Sequence, residues 1–275
     1  MGEGHQRRGR EARLRKTNIP KVLYETSGAI ARITLNRPEA MNAFDAETLL
    51  LLGKHLQAFD KDDALRVAIL TGAGEKAFCA GADLKKKTAG GVQELLSPER
   101  QHFRAGGQGF NVTKPLIAAI NGYCLAGGLE LALGCDIRIA STSASFGSPE
   151  VRWSLLQGYG ALKLPRTVPL SVAMDMLLTG ERIDAARAYE VGLISRLVEP
   201  HELAATAQAI AERISENGPL AVKLTKDIAL RGLYLPTEDA VAYRNSVSAL
   251  LGLSEDAKEG PSAFTEKRKP QFKGR

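Results

Sequence analysis

Apolar positions along the chain follow two different spacings. Residues 29–35 (AIARITL) form a short, largely apolar run that ends at the Asn36-Arg37-Pro38 breaker, which predicts a β-strand. Between Glu47 and Phe59 apolar residues recur every three or four positions, which predicts an amphipathic helix. Further short apolar runs predict strands at 66–70, 115–120 and 137–140. We therefore expect strands followed by helices to repeat along the first part of the chain.

The pattern changes at about residue 171 and is almost wholly helical from there. Predicted helices cover residues 171–179, 184–190, 202–216, 219–231, 237–250 and 254–267. A change of this kind is typical of an α/β body followed by a helical C-terminal portion. We expect a tail over residues 1–18, an α/β domain over 19–200 and a helical region over 201–275.

Two segments fit neither spacing. Residues 1–21 carry seven Lys or Arg against two Glu, so about +1 of the net charge of +6 is left for the rest of the chain. We expect this basic tail to be disordered and solvated, with a nucleic-acid-binding arm or a transit peptide as alternatives. Residues 85–110 combine three consecutive lysines with five glycines, which predicts a mobile loop or lid.

The composition is that of a globular protein, because 275 residues with 44% hydrophobic content can form a substantial core. No apolar run approaches the roughly 20 residues that a membrane-spanning helix needs. The N-terminus lacks the apolar core of a signal peptide, so we expect a cytoplasmic protein without a membrane partner. Three cysteines without a CxxC spacing and four scattered histidines indicate neither a disulfide framework nor a zinc site.

Two turns of small residues carry the candidate chemistry. NGYCLAGGLELALGCD at 121–136 places Gly127-Gly128 at the start of an apolar helical pattern, where unpaired N–H groups can bind an anion or a carbonyl oxygen. AFCAGADL at 77–84 contains a second turn, Ala80-Gly81-Ala82. N–H groups from the two turns could converge on one carbonyl oxygen. The helical pattern also contains a lone acid, Glu130, which must be functional or well paired if it is buried.

These two segments, followed by FGSPE at 146–150, resemble in order and spacing the hallmark segments of the crotonase superfamily, the enoyl-CoA hydratase and isomerase family. The resemblance runs from about residue 20 to the end of the chain. It implies an α/β fold, a crotonase-like spiral of ββα units with a C-terminal helical region used for trimerisation. It also implies an acyl-CoA substrate, a homotrimer or a hexamer made of two trimers, and no metal or separate cofactor.

The resemblance also implies roles for individual residues. Two backbone N–H donors to the thioester oxygen map onto Ala82 and Gly127, and the two glutamates of family hydratases map onto Glu130 and Glu150. By this resemblance Glu130 would activate water and Glu150 would protonate Cα. Contacts with CoA are implied for Ala80, Asp83, Leu84 and Lys85, with a solvated basic loop as the alternative for the lysine.

The segment after Glu150 departs from the common family pattern. Many family hydratases carry a Pro-Gly-x-Gly-Gly turn there, whereas this chain reads Gln157-Gly158-Tyr159-Gly160-Ala161. We therefore expect a reshaped acyl pocket in which Trp153 and Tyr159 contact the substrate, with core packing as the alternative for Trp153. The first glycine of the family's usual run of three is replaced by Ala126, which we interpret as tolerated.

The sequence predicts an enoyl-CoA hydratase, or a dehydratase that runs the same reaction in reverse. Family isomerases can work with one acid in the position of Glu150, so the retained pair favours a hydratase. A Δ3,Δ2-enoyl-CoA isomerase and a carnitinyl-CoA-type dehydratase are the alternatives among enzymes. A crotonase-fold protein that binds RNA through its tail is an alternative of another class. We expect no nucleic-acid partner, because the charge outside the tail is nearly balanced.

Overall fold

The computed structural model describes residues 19–83 and 112–275. The predicted tail at 1–18 lies outside these ranges, and so do the predicted lid at 85–110, Leu84 and Lys85. Within the described ranges, no helix is both long enough and apolar enough to cross a membrane.

The described residues contain ten strands. In chain order they are β1 (Val22–Ser27), β2 (Ile30–Leu35), β3 (Val67–Gly72), β4 (Ala77–Cys79), β5 (Leu116–Ile120), β6 (Tyr123–Leu125), β7 (Ile137–Ser141), β8 (Ser145–Gly147), β9 (Arg182–Asp184) and β10 (Arg196–Val198). The predicted strands correspond to β2, β3, β5 and β7. The strands that the sequence did not predict are β1 and the three-residue strands, which are too short for a spacing to reveal.

The strands form two sheets. The larger has the order β1-β2-β3-β5-β7-β10, with β1 and β2 antiparallel and the other neighbours parallel. The smaller has the order β4-β6-β8-β9, of which only the pair β8 and β9 is antiparallel. From β3 to β8 successive strands alternate between the sheets, since β3, β5 and β7 lie in the larger and β4, β6 and β8 in the smaller. This alternation confirms the predicted spiral of ββα units.

Nine α-helices complete the described residues. They are α1 (Ala46–Lys61), α2 (Gly127–Gly134), α3 (Tyr159–Lys163), α4 (Leu170–Thr179), α5 (Ala185–Glu190), α6 (Leu203–Ser215), α7 (Pro219–Gly232), α8 (Thr237–Gly252) and α9 (Asp256–Thr265). The helices predicted after residue 171 are all present, with ends that shift by at most two residues. The short helix α3 was not predicted, and its first residues belong to the segment that departs from the family pattern.

The core lies on both faces of the larger sheet. Strand β3 is buried on both sides, with Ala68 and Leu70 in one apolar cluster and Val67 and Ile69 in another. Such runs are typical of parallel strands that are covered on both faces. Helix α6 covers one face and adds Leu203, Ala207, Ile210 and Ala211 to the core. The helical portion after residue 200 therefore begins with a helix that packs on the α/β body.

Candidate active site

Helix α2 begins at a point of very close packing between two elements. A Cβ at Gly128 would collide with the backbone oxygen of Cys79 in β4, and a Cβ at Gly127 would lie 2.5 Å from Cζ of Phe44. Glycine permits this approach because it has no Cβ. The first N–H groups of a helix have no partner within the helix and lie at the positive end of its dipole. The N–H groups at the start of α2 can therefore donate to a carbonyl oxygen or to an anion.

The second small turn lies against this helix start. Gly81 packs on it so closely that a Cβ there would be 2.7 Å from Cβ of Ala126 and 3.0 Å from the nitrogen of Gly127. Phe44 forms a parallel bridge with Ala82, in which the N–H of Phe44 donates to the oxygen of Gly81 and the N–H of Asp83 donates to the oxygen of Phe44, both at 2.9 Å. Alternation along an extended strand then directs the N–H of Ala82 away from Phe44.

Ala126, the residue before α2, has an uncommon backbone conformation. Its φ of 54° and ψ of −129° lie in a region that side chains with a Cβ rarely adopt. Its N–H donates to the oxygen of Gly147 in β8 at 2.9 Å, and its oxygen accepts the N–H of Glu130 at 3.2 Å. These bonds fix the direction in which the helix leaves the strand.

Glu130 lies one turn into α2, between the buried residues Leu129 and Leu131. Its side chain is half-buried rather than fully buried, and its Oε1 accepts the backbone N–H of Gly160 at 3.1 Å. The backbone of Gly158 is also adjacent, because a Cβ there would be 2.9 Å from the same oxygen. The carboxylate therefore faces the backbone of the segment before and within α3.

Glu150 follows β8, in a short 3-10 helix that spans Pro149–Trp153. The hydroxyl of Ser148, which is buried, donates to Oε2 of Glu150 at 3.2 Å. The side-chain amide of Gln157 lies directly against the same carboxylate. With its nitrogen turned toward Glu150, this amide donates to both carboxylate oxygens and, at 2.9 Å, to the hydroxyl of Ser148.

The segment 157–160 therefore contacts both candidate acids. Gln157 reaches Glu150 through its side chain, and Gly160 reaches Glu130 through its backbone N–H. Sequence reasoning identified the two glutamates but missed Gln157, Gly160 and Ser148. The signal for these residues in the sequence is the departure of this segment from the family pattern, which on its own indicates only a reshaped acyl pocket.

Asp83, directly after the proposed donor Ala82, is held by a partly buried ion pair. Its Oδ2 accepts from the guanidinium of Arg37 at 2.8 Å, and Arg37 also donates to the oxygen of Ala43 at 2.6 Å. The N–H of Ala80 donates to the oxygen of Met41 at 3.1 Å. The segment 80–83 is therefore fixed on several sides.

The two aromatic residues expected near the substrate differ in their surroundings. Trp153 is 69% exposed, so core packing, the alternative for this residue, is wrong within the chain. Tyr159 is half-buried, and within the described ranges its hydroxyl has no hydrogen-bond partner. Burial raises the pKa of Tyr159 to about 12, with Tyr234 adding to the rise and nearby Arg138 and Arg166 opposing it. The segment 157–160, which includes Tyr159, contacts Glu130 through its backbone.

The described ranges hold no group of three or more His, Cys, Asp or Glu residues that could bind a metal ion. The three cysteines are free and buried. Burial raises the pKa of the Cys79 and Cys135 thiols to about 12. A thiol with such a pKa is a poor nucleophile at neutral pH, so these cysteines are core residues.

Comparison with known proteins adds to this geometry. The family profile for "Enoyl-CoA hydratase/isomerase" matches residues 25–275. An (E)-benzylidenesuccinyl-CoA hydratase of Thauera aromatica is 45% identical, over 92% of this chain and 99% of that protein. A carnitinyl-CoA dehydratase of Salmonella arizonae is 42% identical, over 90% and 96%. The crystal structure of an enoyl-CoA hydratase from Mycobacterium tuberculosis is 41% identical, with a TM-score of 0.85 over 94% of this chain and 100% of that one.

Proposed function

Because this chain belongs to the enoyl-CoA hydratase/isomerase family, we propose that its paired glutamates and paired backbone donors add water to a 2-enoyl-CoA thioester. Its relatives include hydratases and dehydratases, and the chain is a hydro-lyase. The proposal rests mainly on the observation that the segment 157–160 contacts the carboxylates of both Glu130 and Glu150. Addition of water needs such a pair, because one group takes a proton while the other gives one.

Ala82 and Gly127 are proposed to donate their backbone N–H groups to the thioester oxygen. As water adds at Cβ, negative charge develops on that oxygen, and each fixed donor lowers the barrier by about 3 to 4 kcal/mol. The close approach of Gly81 to the start of α2 supports this role, and so does the direction of the Ala82 N–H away from Phe44.

Glu130 is proposed to take one proton from water while the water oxygen forms a bond to Cβ. The π electrons between Cα and Cβ move toward the thioester carbonyl, and the resulting enolate takes a proton from Glu150 at Cα. The product is a 3-hydroxyacyl-CoA, with Glu130 protonated and Glu150 ionised. A proton must therefore pass from Glu130 to Glu150 before the next turnover. The same steps in reverse remove water.

Of the other family reactions, a carnitinyl-CoA-type dehydration is the second candidate. It is supported by the 42% identity to the Salmonella arizonae dehydratase, and it differs in the acyl group rather than in the type of reaction. A Δ3,Δ2-enoyl-CoA isomerase is less well supported, because one acid in the position of Glu150 can suffice for it. Here Glu130 is retained and has its own N–H donor at Gly160.

The acyl group is proposed to lie along Trp153, with Tyr159 helping to shape the pocket. Trp153 follows Glu150 by three residues and offers an exposed aromatic surface. The 45% identity to a hydratase named for a benzylidenesuccinyl group supports an acyl group bulkier than crotonyl. The CoA portion is proposed to contact the backbone around Ala80 and Asp83, and Leu84 and Lys85 beyond the described residues.

The test of the proposed function is the loss of enoyl-thioester ultraviolet absorbance with purified protein. The substrates are crotonyl-CoA, crotonobetainyl-CoA and (E)-benzylidenesuccinyl-CoA. Glu130→Gln and Glu150→Gln are each expected to lower kcat by about 100-fold or more. Glu212→Gln, at a surface carboxylate of α6 that accepts from Gln208, is the matched control and should keep full activity. Unchanged turnover in both site variants would contradict the assignment.

No added cofactor is proposed, because the family chemistry needs only water and the CoA thioester. Dialysis against EDTA should leave the activity unchanged. A loss of activity that an added metal ion restores would contradict this.

A cytoplasmic location is also proposed. Its support is the acyl-CoA substrate together with three cysteines that are all free, which suits a reducing compartment.

A homotrimer, or a hexamer of two trimers, is proposed for the assembled protein. Helix α7 has no buried residue and α8 has only Val247. Large apolar side chains in and next to these helices are exposed, among them Leu233, Leu250 and Leu253. An apolar surface of this kind favours self-association.

A further inference from the structure

Gln157 occupies the position where many family hydratases carry a proline, and its amide lies against the carboxylate of Glu150. The orientation of the amide follows from its neighbours. An amide oxygen turned toward the carboxylate would set three acceptor oxygens against one another. The nitrogen instead faces both oxygens of Glu150 and the Ser148 hydroxyl, which share its two N–H donors. A proline at this position has no side-chain donor for any of these contacts.

The side chain of Gln157 is itself held in place. It packs so tightly on Gly160 that a Cβ at that position would collide with the amide. Ser148 is buried, and its hydroxyl both accepts from Gln157 and donates to Glu150, which closes a ring of three polar groups. The N–H of Gly160 binds Glu130 on the other side of the same segment. A displacement of Gln157 would therefore alter the contacts of both glutamates.

We propose that Gln157 is a positioning residue that orients the carboxylate of Glu150 for proton transfer at Cα, an inference that rests on the hydratase chemistry proposed above. A glutamate side chain has three rotatable bonds, so its oxygens do not face one point unless neighbours restrict them. The amide nitrogen of Gln157 and the hydroxyl of Ser148 together fix the plane of the carboxylate. The oxygen lone pair that exchanges a proton with Cα then has a defined direction.

The test compares Gln157→Met with the unchanged enzyme. Methionine keeps the length and most of the volume of the side chain but has no N–H donor. We expect kcat for hydration to fall roughly 10- to 100-fold through misalignment, with KM within about twofold of the original. Exchange of the α-hydrogen of the matching saturated acyl-CoA in deuterated water should fall by the same factor, because this exchange uses Glu150 without addition of water.

Three further variants separate positioning from a general loss of structure. Gln208→Met also removes an amide that donates to a glutamate, Glu212, but on the surface of α6, and it should leave both rates unchanged. Gln157→Glu sets a second carboxylate against Glu150, so we expect a larger loss than with methionine. In a Glu150→Gln background, Gln157→Met should cause no further loss of α-hydrogen exchange.

The outcomes distinguish this inference from the proposed function. If the unchanged enzyme hydrates 2-enoyl-CoA and Gln157→Met matches it in kcat and α-hydrogen exchange, the role of Gln157 is wrong and the hydratase assignment stands. A further loss of exchange in the Glu150→Gln background would also overturn the role, because Gln157 would then act without Glu150. If the unchanged enzyme hydrates no 2-enoyl-CoA, both the proposed function and this inference fall.

Discussion

At the scale of single residues, Ala126 combines an unfavourable backbone conformation with a position next to the proposed donor Gly127. Its φ of 54° and ψ of −129° suit glycine, and the family pattern has a glycine there. Non-glycine residues in such regions cost about 1 to 3 kcal/mol each. The conformation is kept because the N–H of Ala126 donates to the oxygen of Gly147, and because Gly81 packs closely against Ala126.

Replacing Ala126 with glycine should therefore stabilise the protein. Relief of strain outweighs the extra chain entropy of glycine, and we expect the free energy of unfolding in urea to rise by about 1 kcal/mol. Ala209→Gly, at an exposed and regular position in α6, is the control and should lower it by about 1 kcal/mol. Equal losses in the two variants would mean that Ala126 is not strained.

At the scale of elements, the site depends on how closely α2 approaches β4. Gly128 packs against the backbone of Cys79, which cannot move aside as a flexible side chain can. This contact sets the position of the first turn of α2, and with it the directions of the Gly127 N–H and the Glu130 carboxylate.

Gly128→Ala should therefore displace the start of α2. We expect kcat to fall by about 100-fold, because a shift of about 1 Å at the reacting groups has an effect of that size. Gly53→Ala is the matched control, since Gly53 lies in α1 with open space around a Cβ. It should keep full activity and raise the free energy of unfolding by about 0.5 to 1 kcal/mol. Normal kcat for Gly128→Ala would contradict the role of this packing.

The length of an element decides whether the sequence alone predicts it. The apolar run of four residues in β3 and the sixteen-residue pattern of α1 are long enough for their spacing to be recognised. Strands such as β4 and β8 span three residues each and exist only because neighbouring strands pair with them. Motif matching predicted Glu130 and Glu150. The contact of Gln157 with Glu150 depends on tertiary packing against Gly160, which no spacing reveals.

At the scale of the whole molecule, apolar side chains on the C-terminal helices are exposed in the single chain. Leu250 and Leu253, at the end of α8, are 67% and 82% exposed. If this surface is the interface of the proposed trimer, lysines there should weaken assembly, because a charge at the core of an interface loses its hydration.

Sedimentation velocity should give three or six times the mass of one chain for the unchanged protein. The double variant Leu250→Lys and Leu253→Lys should sediment as a smaller species. Leu50→Lys is the control, because Leu50 is also exposed, at 49%, but lies in α1. A monomeric unchanged protein, or a double variant that assembles normally, would contradict the proposed interface.

The isotopic composition of the product tests hydration by the two glutamates. The reaction is run on a 2-enoyl-CoA in deuterated water enriched in oxygen-18, and the product is analysed by mass spectrometry and NMR after a single turnover. We expect one oxygen-18 at Cβ, from the water that Glu130 activates, and one deuterium at Cα, delivered by Glu150 after exchange with the solvent. A product without oxygen-18, such as the 3-enoyl-CoA that migration of the double bond to Cβ and Cγ would give, would contradict the hydration.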